Sequence, residues 1–395
     1  MKQGSMSKAW ITTSVSHNKP YKKVPVKKYF QEIKPLILLQ RAFGKLPYSF
    51  NEEGFAPFKL LSFPVIYTII FIVFQSTWTV YSLCIIIQEK IHKAPSYDVT
   101  LYWVSIGLFL LLNFTTPMTK WIDIRKFVHH VSSWQDFQNN HLDAELGANL
   151  SLTLMIISVL LLPIASVFVY CQSYLLTDLS LFVMVPYIFS FIETGVIIIH
   201  WGVVLYELRI ASRTLLSKII MDGCRQMSTY RRTWLELSKL VSGVGESLGH
   251  TGLVISIVLF TTFVLAMYAL LSSLFEPAKT CNHVWGLLIN AVLSLLCNLF
   301  LFNAAHRTTQ EVGPDFSCKI LASDLTHLSQ VEMNEISLMV QTISANPPTV
   351  EYLGFVTVNR SLFVSLVSNA VTYLVVLIQF KASAPEKPVK EEVVQ

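Results

Sequence analysis

Hydrophobic residues collect into long runs that are separated by shorter polar stretches. A helix needs about 20 apolar residues to cross the roughly 30 Å hydrocarbon core of a bilayer, and seven of the runs reach that length. The pattern therefore predicts an all-α membrane protein with seven transmembrane helices. The predicted spans lie near residues 60–87, 99–119, 150–170, 180–206, 251–275, 283–304 and 361–380.

Two stretches between the predicted spans keep a helical spacing of apolar residues, although they are too polar to lie in a membrane. They cover residues 207–250 and 317–345, and Asn346-Pro347-Pro348 then interrupts the second pattern. Apolar residues at this spacing form one face of a helix, and that face must be buried against another element. We expect cytoplasmic continuations of the spanning helices that pack against one another.

The last predicted span carries a polar stripe. At about 100° per residue, its polar positions fall on one narrow face of the helix. The stripe consists of Ser361, Ser365, Ser368, Thr372 and Gln379, with Asn369 and Val376 beside it. Polar groups in hydrocarbon are costly unless they find partners or water. The stripe therefore faces either another helix, bound through small and hydroxylated residues, or an aqueous path.

Composition agrees with a multi-spanning membrane protein. The chain has 395 residues, of which 53% are hydrophobic and 14% charged, whereas soluble domains average about 25% charged residues. Its net charge is +5, but the basic residues do not interleave with aromatic residues as single-strand binding requires, so no nucleic-acid partner is expected. The sequence has no nucleotide-binding, hydrolase or metal-ligand motif, and we expect neither enzymatic activity nor a cofactor or metal.

The distribution of basic residues predicts the orientation. With a cytoplasmic N-terminus, 24 of the 30 Lys and Arg residues fall on the cytoplasmic side, as the positive-inside rule requires. Seven spans then place the C-terminus outside, the reverse of a G-protein-coupled receptor. The predicted segments are a basic cytoplasmic segment 1–59, helices one to six in 60–304, cytoplasmic helices 305–360, the last span 361–380 and an extracellular tail 381–395.

The end of the last span carries a recognisable pattern. From Thr372 to Phe380 the chain reads Thr-Tyr, five hydrophobic residues, then Gln-Phe, which resembles the C-terminal signature of the insect gustatory receptors. The stretch from Glu335 through Gly354-Phe355 to Asn359-Arg360 also resembles that family. The resemblance implies a ligand-gated, non-selective cation channel in the plasma membrane of a chemosensory neuron. It further implies a homotetramer, or a heterotetramer with other gustatory receptors, held together by the cytoplasmic helices.

In such a channel the last helix of each subunit would line the central pore, where the polar stripe would solvate permeant cations. The residues assigned to the pore and its gate are Asn369, Thr372, Tyr373, Val376, Gln379 and Phe380. Phe380 is rotated by about 100° from Gln379. Rotation of this helix is therefore a hypothesis for gating, because it would exchange an apolar lining for a polar one.

The resemblance also implies a pocket for a small-molecule tastant in the outer halves of spans two to six. Such a pocket needs aromatic walls and a few hydrogen-bonding groups. The residues assigned to it are Trp103, Tyr187, Glu193, Thr194, Tyr268, Trp285 and Asn290. Two alternatives stay open: Trp103 and Trp285 are also typical interfacial anchors, and Glu193 could form a buried pair with His200.

The identity of the tastant is only weakly encoded. Many sugar-sensing members of the family carry Glu after Thr-Tyr, whereas Leu374 stands there in this chain. This favours a bitter or other non-sugar compound and leaves a fructose-type sugar as the alternative. A G-protein-coupled receptor would need the opposite topology, and a secondary transporter would show internal repeats and broken helices at matching positions.

Overall fold

The computed structural model describes residues 29–51, 54–55, 59, 61–92, 97–141, 150–176, 179–224, 226–274, 281–323, 325–326 and 328–383. The predicted extracellular tail, apart from residues 381–383, and the first 28 residues of the basic segment lie outside this range. Within it the chain is almost entirely helical.

The helices are α1 (Tyr29–Ala42), α2 (Phe63–Ile85, continued by a wider π-helical turn over Ile86–Ile91), α3 (Tyr97–His141), α4 (Leu150–Leu176), α5 (Leu181–Met221), α6 (Met227–Ser247), α7 (Gly249–Leu274), α8 (Cys281–Val312), α9 (Pro314–Leu321), α10 (Gln330–Ala345) and α11 (Arg360–Ser383). Two short antiparallel hairpins pair β1 (Phe50–Asn51) with β2 (Gly54–Phe55), and β3 (Glu351–Tyr352) with β4 (Val356–Thr357).

Among the described residues, seven helices are long and apolar enough to cross a membrane, which confirms the predicted number. They are α2, α3, α4, α5, α7, α8 and α11. The C-terminal parts of α2, α4 and α7 lie at one end of the bundle with the N-terminal parts of α3, α5 and α8, and this end is termed here the short-loop end. At the opposite end, termed the extended end, α3, α5 and α8 continue well past the length that a bilayer requires: α3 alone has 45 residues, or about 68 Å.

The extended end is a packed helical layer, as the apolar spacing of residues 207–250 and 317–345 predicts. Buried tryptophans tie its helices together through the peptide backbone. The Trp234 indole of α6 donates to the carbonyl of Val312 at 2.8 Å, and the Trp201 indole of α5 donates to the carbonyl of Leu301 at 3.1 Å. The helix predicted before Asn346-Pro347-Pro348 is α10, and it ends at Ala345.

A proline inside α5 creates one of the links between spans. Pro186 has no backbone N–H, so the carbonyl four residues earlier, that of Phe182, loses its partner within the helix. Two side chains of α2 satisfy that carbonyl instead, since Trp78 Nε1 donates to it at 2.9 Å and Ser82 Oγ at 2.7 Å. A buried carbonyl left without a donor would destabilise the fold, so the proline fixes α2 against α5.

The predicted basic segment 1–59 contains a packed helix. Its residues 29–42 form α1, which packs against α4 and also contacts α3 and α5. Phe30, Ile33, Leu36 and Ile37 are each at most 2% exposed. Because these side chains lie on one face of the helix, α1 is an amphipathic helix that packs against the bundle. The sequence-based interpretation of 1–59 as a basic segment did not include this helix.

Candidate ligand cavity and pore-lining helix

A small cavity of about 50 Å³, termed here the inner cavity, lies between five of the spanning helices. It is bounded by α3, α4, α5, α7 and α8. The residues that line it are Phe109, Phe168, Tyr187, Phe191, Thr194, Gly195, Ile198, Leu259, Asn290, Leu293, Ser294 and Cys297. Three of the residues predicted to bind ligand therefore share one cavity, namely Tyr187, Thr194 and Asn290.

Helical spacing explains why these residues meet. On α5, Tyr187, Phe191, Thr194 and Ile198 are separated by four, three and four residues, so they fall on the same face. The α8 residues Asn290, Leu293, Ser294 and Cys297 follow the same rule. Two faces with this spacing oppose each other across the cavity.

Four aromatic rings form one part of the wall. The Phe168 and Phe191 rings are stacked, with centroids 4.6 Å apart, and the Phe109 ring meets Tyr187 edge to face at 5.6 Å. The polar groups on the wall are few. The Thr194 hydroxyl donates to the carbonyl of Ser190 at 2.8 Å, which leaves its oxygen able to accept a hydrogen bond from a ligand. The wall is thus mainly apolar with a few polar groups, as in known ligand sites. At about 50 Å³ the cavity is smaller than the roughly 300–1,000 Å³ of such sites, so a ligand would have to widen it by moving side chains.

The remaining residues assigned to the pocket from sequence lie elsewhere. Trp103 is buried, and the Lys90 ammonium lies over its ring at 5.4 Å. Trp285 is 58% exposed on the outer surface of α8, as an interfacial anchor would be. Tyr268 is half-buried on α7. None of these three lines the inner cavity.

Glu193 forms a buried pair, but its partner is not His200. The Lys45 ammonium lies 3.1 Å from the Glu193 carboxylate, and the two side chains are 2% and 3% exposed. His200 packs against the ring of Phe127 instead, with ring centroids 5.3 Å apart. Burial lowers the pKa of Lys45, although the neighbouring Glu193 carboxylate opposes that shift.

Lys45 also begins a chain of buried hydrogen bonds. Its ammonium donates to Gln75 at 3.0 Å, and Gln75 donates to Asn113 at 2.6 Å. Asn113 in turn donates to the Thr79 hydroxyl and to the carbonyl of Pro186, both at 3.1 Å. The chain joins the segment after α1 to α2, α3 and α5, so an ionic and polar network replaces apolar packing at this depth.

The pore-lining stripe predicted on α11 faces away from the rest of the protomer. Ala370 and Leu374, which are 2% and 4% exposed, form the buried face of the helix. Ser361, Ser365, Ser368, Asn369, Thr372 and Gln379 are all exposed. Val376 and Tyr373 are 40% and 68% exposed. At about 100° per residue the stripe lies opposite the buried face. Phe380 belongs to α11, but its side chain lies outside the described range.

The β3–β4 hairpin, between α10 and α11, packs closely against Gly245 of α6 and Gly252 of α7. Tyr352 of β3 is 1% exposed, its ring lies 5.5 Å from that of Trp201, and its hydroxyl lies 3.3 Å from that of Ser256. A Cβ atom added to Gly252 would lie 2.6 Å from the Tyr352 ring, and one added to Gly245 would collide with the Glu351 backbone. Burial raises the pKa of Tyr352 to about 12. The hairpin thus fixes the beginning of α11 to α6 and α7.

Sequence reasoning missed two parts of this arrangement. Phe109, Phe168 and Phe191 form the aromatic wall, yet Phe is so frequent in the spans, with 25 in the chain, that no local signal separates these three. Lys45 lies in the segment interpreted only as basic and cytoplasmic, and nothing local marks it as the partner of Glu193. Only the apolar spacing of α1 gave a usable signal.

Comparison with known proteins identifies the family. The sequence profile of the 7tm chemosensory receptor family matches residues 33–383. Gustatory and odorant receptor 24 of Anopheles gambiae is 28% identical over 370 residues, which cover 91% of this chain and 80% of that receptor. Gustatory and odorant receptor 22 of the same mosquito is 25% identical over 315 residues, which cover 75% of this chain and 66% of that receptor.

Solved structures show the same fold. The insect olfactory receptor OR5 from Machilis hrabei superposes with a TM-score of 0.61 at 15% identity, covering 88% of this chain and 97% of that receptor. The structure of that receptor in complex with eugenol superposes with a TM-score of 0.55 at 16% identity and with the same coverage. The chain belongs to the 7tm chemosensory receptor family, and the two mosquito relatives support its assignment to the insect gustatory receptors.

Proposed function

We propose that this protein is a chemosensory receptor that opens a cation-conducting pore when a small ligand occupies the inner cavity. One observation carries the proposal: a helix apolar enough to cross a membrane presents a full-length polar stripe on the face opposite its own bundle. Hydrocarbon is an unfavourable medium for that stripe, whereas a water-filled axis shared by several copies is a favourable one.

The proposed assembly has four subunits with α11 of each around a central axis. Repetition of the stripe would form rings of hydroxyl and amide groups, and these groups suit hydrated cations. The helices of the extended end would hold the subunits together on the cytoplasmic side. In this arrangement the N-terminus is cytoplasmic and the C-terminus extracellular, and the receptor resides in the plasma membrane of a chemosensory neuron.

The inner cavity supports a non-sugar ligand, bitter or otherwise. Its walls are mostly aromatic and aliphatic, with a few polar groups such as Thr194 and Asn290. A sugar carries a hydroxyl on nearly every carbon, and most of them would be buried without partners in this cavity, which costs binding energy. The solved complex of the olfactory receptor OR5 contains eugenol, itself a small aromatic molecule with few polar groups.

Gating follows from differential affinity. A ligand that binds more tightly to the open arrangement shifts the population toward it, and a ligand with equal affinity for both arrangements shifts nothing. The cavity is built from α3, α4, α5, α7 and α8, while α11 packs on α7 and α8. A ligand that displaces the Asn290 face of α8 would therefore act directly on a helix that supports α11.

The test is whole-cell current in cells that express only this chain, perfused with bitter compounds, volatile aromatic compounds and sugars. Once an agonist is found, Thr194→Val and Asn290→Leu each remove a polar group from the cavity. Each should raise the half-maximal concentration about tenfold, the equivalent of one lost hydrogen bond. Trp285→Phe is the control, because Trp285 lies on the outer surface, and it should leave that concentration unchanged.

A current evoked by sugars alone would contradict the proposed ligand class. If neither Thr194→Val nor Asn290→Leu changes the half-maximal agonist concentration, the binding site lies elsewhere. Epitope tags at the two ends, read with and without permeabilisation, test the orientation, and an extracellular N-terminus would contradict it. If the single chain reaches the cell surface but gives no current, and co-expression of a second gustatory receptor restores the current, the channel is heteromeric.

A further inference from the structure

A larger depression lies beside the inner cavity, on a surface that faces the bilayer. This depression, termed here the lipid-facing groove, has a volume of about 540 Å³ and runs between α4 and α8. Its lining residues are Leu160, Pro163, Ile164, Val167, Phe168, Cys171, Gln172 and Ile289. Both helices are membrane spans, so the medium that fills the groove is hydrocarbon.

The groove and the inner cavity share one wall. Phe168 lines both, and its ring stacks on Phe191 inside the cavity at 4.6 Å, with the ring planes 25° apart. On α8, Ile289 lines the groove while the next residue, Asn290, lines the cavity. A single aromatic ring and the edge of α8 thus separate the bilayer from the candidate ligand site.

The direct approach from the short-loop end is closed by packing. Val169, Val183 and Leu287 lie on that side of the cavity and are 0%, 2% and 5% exposed. The Gln172 side chain, itself 1% exposed, donates to the carbonyl of Gly286 at 3.4 Å and links α4 to α8 there. A ligand arriving from the aqueous side would have to displace several closely packed side chains, whereas the groove and the cavity share the Phe168 side chain as a wall.

Helix α4, which carries Phe168, can bend. Pro163 lies inside α4 and provides no amide proton for the carbonyl of Val159, so the helix can bend at that point. Ile164 and Val167, on the same stretch, are 55% and 61% exposed. These two residues face lipid rather than protein, so a bend of α4 toward that side would displace no protein side chains there, whereas α1 and α5 pack on other faces of the helix.

We propose that ligands reach the inner cavity from the bilayer through the lipid-facing groove, with the Phe168 ring as a movable partition. This route rests on the proposed function, because it assigns the inner cavity as the ligand site. It selects small uncharged molecules that partition into lipid, since charged groups are strongly disfavoured in hydrocarbon. Specificity then has two stages: solubility in the membrane, followed by fit to the cavity.

A native thiol makes the route measurable without an agonist. Cys297 lines the inner cavity, and Cys318 is exposed on α9. The full chain, with Cys171→Ser to remove the groove thiol, is placed in lipid nanodiscs so that both membrane faces are accessible. It is treated with neutral N-phenylmaleimide or with a cationic methanethiosulfonate, and mass spectrometry follows the labelling of Cys297 relative to Cys318. The neutral reagent should give a relative rate at least about tenfold higher than the cationic one.

A matched pair of variants locates the route. Ile164 lies in the groove and is 55% exposed, whereas Leu162 lies outside the groove on the same helix and is 54% exposed. Ile164→Trp fills the groove and should slow labelling of Cys297 by N-phenylmaleimide about fivefold or more, as steric obstruction lowers an association rate. Leu162→Trp should leave the rate unchanged, and Phe168→Ala should increase it.

Three results would overturn the route: equal rates in Ile164→Trp and Leu162→Trp, equal relative labelling by the neutral and cationic reagents, or no increase with Phe168→Ala. An acyl chain held permanently in the groove would give the third result, and would count against the route. Because the labelling of Cys297 requires no current, it tests the access route even if the receptor is not a channel. Conversely, ligand-gated currents together with aqueous labelling would preserve the proposed function and refute the route.

Discussion

The Lys45 ammonium lies 3.1 Å from the Glu193 carboxylate, with both side chains almost completely buried. Lys45 follows α1, and Glu193 lies in the span formed by α5, so the pair fastens the N-terminal segment to the transmembrane bundle. A buried charge without a partner is strongly unfavourable, whereas a paired one is tolerated. The position of α1 against α4 therefore depends on an electrostatic contact as well as on its apolar face.

Removing either partner of this pair should destabilise the protein. Lys45→Met or Glu193→Gln leaves a buried group uncompensated, and each should lower the free energy of unfolding by about 3–5 kcal/mol. The double variant should lose less than the sum, because it leaves neither charge behind. Thermal unfolding of detergent-solubilised protein, followed by size-exclusion chromatography, measures this. Additive losses in the double variant would show that the two side chains do not interact.

Gly252, against which the β3–β4 hairpin packs, should not tolerate a larger side chain. Gly252→Ala would place a Cβ atom 2.6 Å from the Tyr352 ring, and the displacement should cost about 1–3 kcal/mol of stability. Gly107→Ala is the matched control on α3, because its Cβ would meet Leu83 at an ordinary 3.6 Å. It should be neutral or stabilising by up to about 1 kcal/mol. Equal thermal stability of the two variants would mean that the hairpin is not seated as described.

Charge on the exposed stripe of α11 should control ion selectivity. Asn369 is exposed on the stripe side of the helix. In the proposed pore Asn369→Asp creates a ring of carboxylates and should raise the cation-to-anion permeability ratio, while Asn369→Lys should lower it. Reversal potentials under a salt gradient measure both changes. Identical reversal potentials in both variants and in the parent receptor would exclude this face from the conduction path.

Two arginines share one carboxylate between α5 and α8, and they should contribute unequally. Arg209 lies 2.7 Å from Glu311 and its side chain is 20% exposed, whereas the Arg213 side chain, which contacts the other oxygen, is 55% exposed. Exposed ion pairs contribute about 0–1 kcal/mol, so Arg213→Met should have little effect on thermal stability. Arg209→Met should lower the melting temperature clearly, because the less exposed pair is less screened. The reverse order of the two effects would contradict this assignment.

Sequence patterns predicted the elements well because the features they report are local. Hydropathy defines a spanning helix whatever it packs against, so the seven spans were readable from residue order. The helical spacing in 207–250 and 317–345 was also readable, although only α5 continues into its stretch, and the rest forms the separate helices α6, α9 and α10. The spacing of Tyr187, Thr194, Asn290 and their neighbours was also local, since a shared helical face follows from 100° per residue. The apolar spacing of α1 was equally present, but a basic composition concealed it.

The sequence by itself determined the seven spanning helices and the polar stripe of α11. Only the tertiary structure decided which faces meet. It paired Glu193 with Lys45 rather than His200, left Trp285 on the surface and placed Phe168 between the inner cavity and the lipid-facing groove. The physical reason is that contacts between distant segments depend on how whole helices pack, and that packing is not encoded in the periodicity of any one of them.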